Sequence, residues 1–265
     1  MGRSLTLFIY TDFPSESLDT DVITERLDRF GVSAQIRGNL FEFLGNSDIA
    51  YRIAGLLARS RITDIEKPLD VLPADNEAQA DSELGKMSGR ESVRGEFYDG
   101  LWVQRILHGA LAGRDSGEAG GEYMHMIFTG RLFGTYDGRR YHARVILAGS
   151  PALISTSGLV EAPAKPREYY FIKGGLLRSG RDVSELDRMY RGRYVEYDDP
   201  KTSSILSSYA LQAVYYELTG REFCDDTRCC LYNSHRQEEV LGVQYEGSIC
   251  DKCLRALREA GLPGK

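Results

Sequence analysis

Residues 203–258, SSILSSYALQAVYYELTGREFCDDTRCCLYNSHRQEEVLGVQYEGSICDKCLRALR, carry all five cysteines of the chain: Cys224, Cys229, Cys230, Cys250 and Cys253. They fall into two clusters, C-x4-C-C and C-x2-C, separated by a cysteine-free run. Zinc is bound tetrahedrally by thiolates, and paired clusters of this kind bring four sulfurs around one ion. A redox role for Cys250 and Cys253 would need a strand–helix–strand setting, which the flanking sequence lacks. The reading is therefore a four-cysteine zinc site over 224–258, with Cys224, Cys250 and Cys253 as ligands. Either Cys229 or its neighbour Cys230 completes the set, with Cys229 preferred. One structural zinc per chain is the expected cofactor, contributing on the order of 10 kcal/mol to folding.

The run before the first cluster, SSILSSYALQAVYYELTG, is apolar nearly all the way round. That pattern predicts a helix buried on most faces, ending at Gly220. Helix, glycine and cysteines together resemble the archaemetzincins, zinc metallopeptidases whose pattern is H-E-x-x-H-x-x-G-x-x-H-C followed by further cysteines. The resemblance aligns Gly220 and Cys224 with the glycine and first cysteine of that pattern. It implies a metzincin-like mixed, twisted sheet with packed helices, an α/β (α+β) fold in a single domain over 1–265. It also implies that the helix lies along a cleft for an extended peptide.

This sequence departs from the pattern where chemistry would occur. The three histidine positions are Ala213, Glu217 and Phe223, and the general-base position is Val214. An H-E-x-x-H helix works because two imidazoles one turn apart share a face while the glutamate activates the metal-bound water. Alanine and phenylalanine supply no ligand. Hence no catalytic residue is assigned, and the expected function is a metallopeptidase-like protein inactive as a zinc protease, with a cleft for a peptide or protein partner. Two alternatives stand beside it. One is an active metallopeptidase using Glu217 with a histidine from elsewhere. The other is a zinc-knuckle adaptor for RNA or protein, suggested by the arginines and tyrosines of 138–144 and 165–181.

Composition bounds the remainder. A chain of 265 residues with 42% hydrophobic and 27% charged residues has a globular balance. Its net charge of −6 gives no global attraction for nucleic acid or anionic membrane, so neither is an expected partner. An odd, clustered cysteine set suits a reducing compartment, and the expected location is the cytoplasm.

Toward the N-terminus, 4–10 reads as a strand, 21–30 as a helix capped by Thr20 or Asp21, VSAQIR as a second strand and 47–62 as a helix. NLFEFLG reads as a strand or loop. Residues 71–98 are rich in charge and poor in large apolar groups, the composition of a mobile insertion. The run 97–113 is helical in period and carries His108. The glycine-rich stretch 113–122 lacks the lysine and serine of a phosphate loop. Asp137-Gly138 between two β-rich runs predicts a hairpin with His125 and His142 on its arms. PALISTSGLVEA reads as a further strand that, by the resemblance, borders the cleft. KPREYYFIKGGLLRSGRD reads as a strand and turn, and VSELDRMYRGRY as a short helix.

Overall fold

The computed structural model describes residues 5–13, 17–114, 116–118 and 122–262. Among these, eight strands are present: β1 (Thr6–Thr11), β2 (Ser33–Asn39), β3 (Phe97–Asp99), β4 (Tyr123–Thr129), β5 (Leu132–Tyr136), β6 (Tyr141–Arg144), β7 (Ile146–Leu147) and β8 (Ala152–Ser155). The first helices are α1 (Thr20–Asp28), α2 (Leu40–Leu44), α3 (Ser47–Arg59), α4 (Glu77–Met87), α5 (Gly100–Arg114) and α6 (Thr156–Glu161). They are followed by α7 (Arg167–Arg178), α8 (Ser184–Met189), α9 (Thr202–Thr219), α10 (Gln237–Glu239) and α11 (Asp251–Glu259). The turn after β1 and the glycine-rich stretch 113–122 lie partly outside the described residues.

The main sheet runs in the order β2-β1-β4-β8-β7. β2, β1, β4 and β8 are parallel, and β7 is an antiparallel strand at one edge. Successive side chains of a strand point to opposite faces, so a central parallel strand must be apolar on both. β1 obeys this. Leu7 and Ile9 enter one core with Met126 and Phe128, while Phe8 and Tyr10 enter the other with Ile127. Helices α1, α9 and α11 cover the first face, and α2, α3 and α5 cover the second. The expected mixed sheet with packed helices and a long buried helix is therefore what the chain forms. Every residue of α9 from Thr202 to Tyr215 is buried except Ser204. Gly220 closes the helix in the left-handed region at φ 67°, donating its N–H to the Tyr216 carbonyl.

Several local expectations are corrected. NLFEFLG holds a helix, α2, because Asn39 caps it through the N–H groups of Phe41 and Glu42 and Gly45 ends it. α1 is capped by Asp19, whose side chain accepts from the N–H groups of Asp21 and Val22, rather than by Thr20 or Asp21. The 137–140 hairpin exists, but its arms are β5 and β6, in a separate three-stranded sheet ordered β3-β5-β6. The Asp137 carboxylate accepts from the N–H groups of Arg139 and Arg140 and shapes a four-residue turn. β4 belongs to the main sheet, so His125 and His142 lie in different sheets. PALISTSGLVEA splits into an interior strand, β8, and helix α6, with Ser155 as the cap. Residues 167–178 are helix α7, because the apolar residues Tyr169 and Leu176 repeat over two turns toward α8.

The segment 71–98 contains helix α4 rather than a loop throughout. Composition misses it because its apolar stripe is short, Ala80, Leu84 and Met87, and a buried charge fastens it as well. Glu83 is completely buried, and its carboxylate receives Arg131 at 2.6 Å and Arg61 at 2.7 Å. Arg131, also completely buried, pairs with Asp12 at the end of β1. Burial alone would raise the Glu83 carboxyl, but the charges and hydrogen bonds of Arg131 and Arg61 outweigh it and hold it below the usual carboxylate range.

Candidate metal centre and cleft

The chain beyond α9 folds back on itself in short contacts. The Cys224 N–H donates to the Leu231 carbonyl at 2.9 Å, the Cys229 N–H to Asp226 at 3.0 Å and the Cys230 N–H to Ser248 at 3.0 Å. These turns bring both cysteine clusters to one point beside α9, and α11 starts there with Cys250 as its N-cap and Cys253 one turn on. The sulfurs of Cys224, Cys229, Cys250 and Cys253 all lie within 4.8 Å of one another. This is the only group of three or more potential metal ligands among the described residues. Cys230 is outside it.

The donor set fits zinc. Four thiolates at zinc–sulfur distances of about 2.3 Å require sulfur–sulfur separations of roughly 3.8 Å. The Cys224 and Cys250 sulfurs are 3.7 Å apart. The Asp226 N–H points at the Cys224 sulfur and the Cys250 N–H at the Cys229 sulfur, both at 3.4 Å. Backbone donors of this kind stabilise thiolate over thiol. Burial holds the Cys224 and Cys253 thiols above the ordinary thiol range, the cost that a divalent cation would offset.

Beside this centre runs a cleft of about 370 Å³. Its floor is one face of α9, Tyr209, Gln212 and Tyr216, at the three- and four-residue spacing that places side chains in line. One wall is the edge strand β7 with its flanks, and the other is formed by Glu222, Phe223 and residues 233–235. β7 ends the sheet, and an end strand offers backbone N–H and C=O groups on its open side. The strand bordering the cleft is thus β7; β8 is covered on both sides by β4 and β7.

Gln212 joins cleft and metal centre. Its amide nitrogen donates to the Tyr232 carbonyl at 3.1 Å, and Gln244 donates to the same oxygen at 2.7 Å. Gln212 Oε1 and Ser234 Oγ are buried and have no hydrogen-bond partner among the described residues. Burial alone raises the Tyr209 hydroxyl well above its ordinary value, keeping that part of the floor neutral.

Of the three positions that the resemblance assigns to metal-binding histidines, only Phe223 lines the cleft. Ala213 is buried in the core and Glu217 is half-buried. The chain has four histidines. His125 is buried in the main sheet against Tyr10, His108 contacts the Ser150 carbonyl and His142 pairs with Asp137. His235 alone lines the cleft. The motif marks 213 and 217, whereas the neighbouring face with Gln212 and Tyr216 lines the cleft, and nothing in the helix sequence distinguishes the two faces. Nothing local marks His235 or the two-residue β7, which the fold brings to the cleft.

The curated proteins include none that matches the chain. Among solved structures, the archaemetzincin of Methanopyrus kandleri is similar at 12% identity and a TM-score of 0.46, covering 98% of this chain and 96% of that one. The zinc-dependent peptidase of Methanocorpusculum labreanum (strain Z) is similar at 12% identity and a TM-score of 0.47, covering 95% and 99%. A family model described as "Probable metallopeptidase family (DUF6775)" matches residues 3–260, and the chain belongs to that family.

Proposed function

We propose that this member of a metallopeptidase family is a binding protein rather than a protease. In this reading one zinc, held by Cys224, Cys229, Cys250 and Cys253, has a structural role. The cleft between β7 and α9 receives an extended segment of a peptide or protein partner by strand addition. The observation that carries the reading is the α9 face itself: it presents Tyr209, Gln212 and Tyr216 to the cleft, and the motif positions hold Ala213, Val214 and Phe223. A catalytic zinc needs three protein ligands and an open position. His235 and Glu222 supply two donors at most. The open side of β7 suits backbone recognition by an added strand.

Metal analysis of purified protein, together with incubation against a peptide library with and without chelator, tests this. One zinc per chain and no chelator-sensitive cleavage is the expected result. A second equivalent of zinc with cleavage that chelator abolishes would favour a protease using His235 and Glu222, and would end the binding-protein reading.

A further inference from the structure

Helices α7 and α8 form a small unit of their own around Tyr169, Leu186, Tyr190 and Tyr194. Only one residue of α7, Tyr169, is buried. The outward side is unusual in two independent ways. Five of the eleven large apolar side chains exposed among the described residues fall in 170–189: Tyr170, Phe171, Ile172, Leu177 and Met189. Phe171 is 81% exposed and Met189 69%. The charge is also segregated. Residues 165–193 carry eight Lys and Arg against four Asp and Glu, so this stretch is +4 in a chain of net −6, leaving −10 for the rest.

The two features share a face. On α7, Arg167, Phe171, Gly174 and Arg178 follow one another at spacings of four and three residues, with Tyr170 and Leu177 alongside. A guanidinium therefore stands on the same helix face before and after the exposed ring. Arg167, Arg178, Arg181 and Arg188 are exposed and make no ion pair among the described residues. The opposite face is occupied by the contact with α8.

We propose that α7 and α8 dock this protein on an anionic lipid surface. Basic residues beside exposed aromatic and aliphatic side chains on the outside of a helix match an interfacial membrane element, with the charge drawing the helix to acidic headgroups and the apolar groups entering the acyl boundary. A nucleic acid strand would engage the rings by stacking but has no phase for Ile172, Leu177 and Met189. The −10 on the rest of the chain orients the encounter, because it is repelled while this face is attracted. The cleft and the zinc centre take no part, so this inference stands apart from the proposed function.

Sedimentation of the zinc-loaded full chain with phosphatidylcholine vesicles, with and without phosphatidylglycerol, provides the test. Binding is expected only with phosphatidylglycerol. Arg167→Gln with Arg178→Gln weakens it about 25-fold, roughly fivefold per charge. Phe171→Ala weakens it about tenfold. All three side chains are exposed, and unchanged melting confirms that the variants fold. In a Phe171→Trp variant, the emission of the new indole shifts to the blue on binding. Equal binding to neutral vesicles, no binding to either, or no blue shift overturns the proposal. Retention on poly(U) without vesicle binding also overturns it and assigns the face to nucleic acid.

Discussion

Cys229 and Cys230 are adjacent in sequence and differ in surroundings. The Cys229 sulfur faces the other three cysteines and receives the Cys250 N–H, whereas Cys230 lies outside that group and contacts Arg26. Cys229→Ser is expected to lower zinc affinity about a hundredfold or more, and Cys230→Ser to leave metal content unchanged, as measured by competition with a chelating dye. At the same scale, the surroundings of His125 disfavour its protonation. Its Nε2–H donates to the Glu118 carbonyl, its Nδ1 accepts from the Tyr10 hydroxyl, and that hydroxyl oxygen accepts from Arg37. Burial, the largest cause, pushes its pKa below the ordinary value. Because the unfolded chain then binds the proton more readily, stability falls as pH drops below about 6.5. Thermal melting across that range should show the loss, and His125→Gln should flatten it. The sequence places His125 only on a hairpin arm; its partners come from β1, β2 and residues 116–118, which no local pattern joins.

At the scale of elements, α4 is held by charge. Glu83 accepts from Arg131, Arg61 and the Tyr98 hydroxyl, so Glu83→Ala leaves a fully buried guanidinium short of a partner. The expected cost is about 3–5 kcal/mol in urea unfolding. Proteolysis of this variant should cut first within 71–98. A hydrophobic pattern reveals such an element poorly, because only Ala80, Leu84 and Met87 mark its apolar face and the buried glutamate is indistinguishable in sequence from its exposed neighbours. α9 is the opposite case. Its unbroken apolar character and Gly220 made both its burial and its end readable. The edge strand β7 was missed because two residues carry no period; only the ladder against β8 makes them a strand.

The molecule as a whole packs two cores on one sheet, and the cysteine region forms part of the larger. Cys224, Cys229, Cys230 and Cys253 sit in the same cluster as Leu206, Val214 and Leu257. A metal held by these cysteines would therefore be coupled to the folding of the domain, not of an appendage. A ligand held by the native state alone stabilises it by mass action, about 4 kcal/mol when present at a thousand times its dissociation constant. Chelator is expected to lower the melting temperature by several degrees and broaden the transition, a change followed by calorimetry; restored zinc should reverse it. In the same experiment Gln212→Ala should weaken the coupling, since that side chain ties α9 to the turn between the two cysteine clusters.

Local chemistry in the sequence determined the alternating helices and strands, the buried α9 and its stop, and the spacing that lets four thiols meet. These follow from side-chain periodicity, from glycine's access to positive φ and from the reach of a few residues of backbone. Tertiary structure alone decided which of two adjacent cysteines turns inward, which strand lies at the edge of the cleft, and that Glu83 and Arg131 meet in the interior. Those outcomes depend on groups far apart in the chain competing for the same space, and a linear pattern holds no record of that competition.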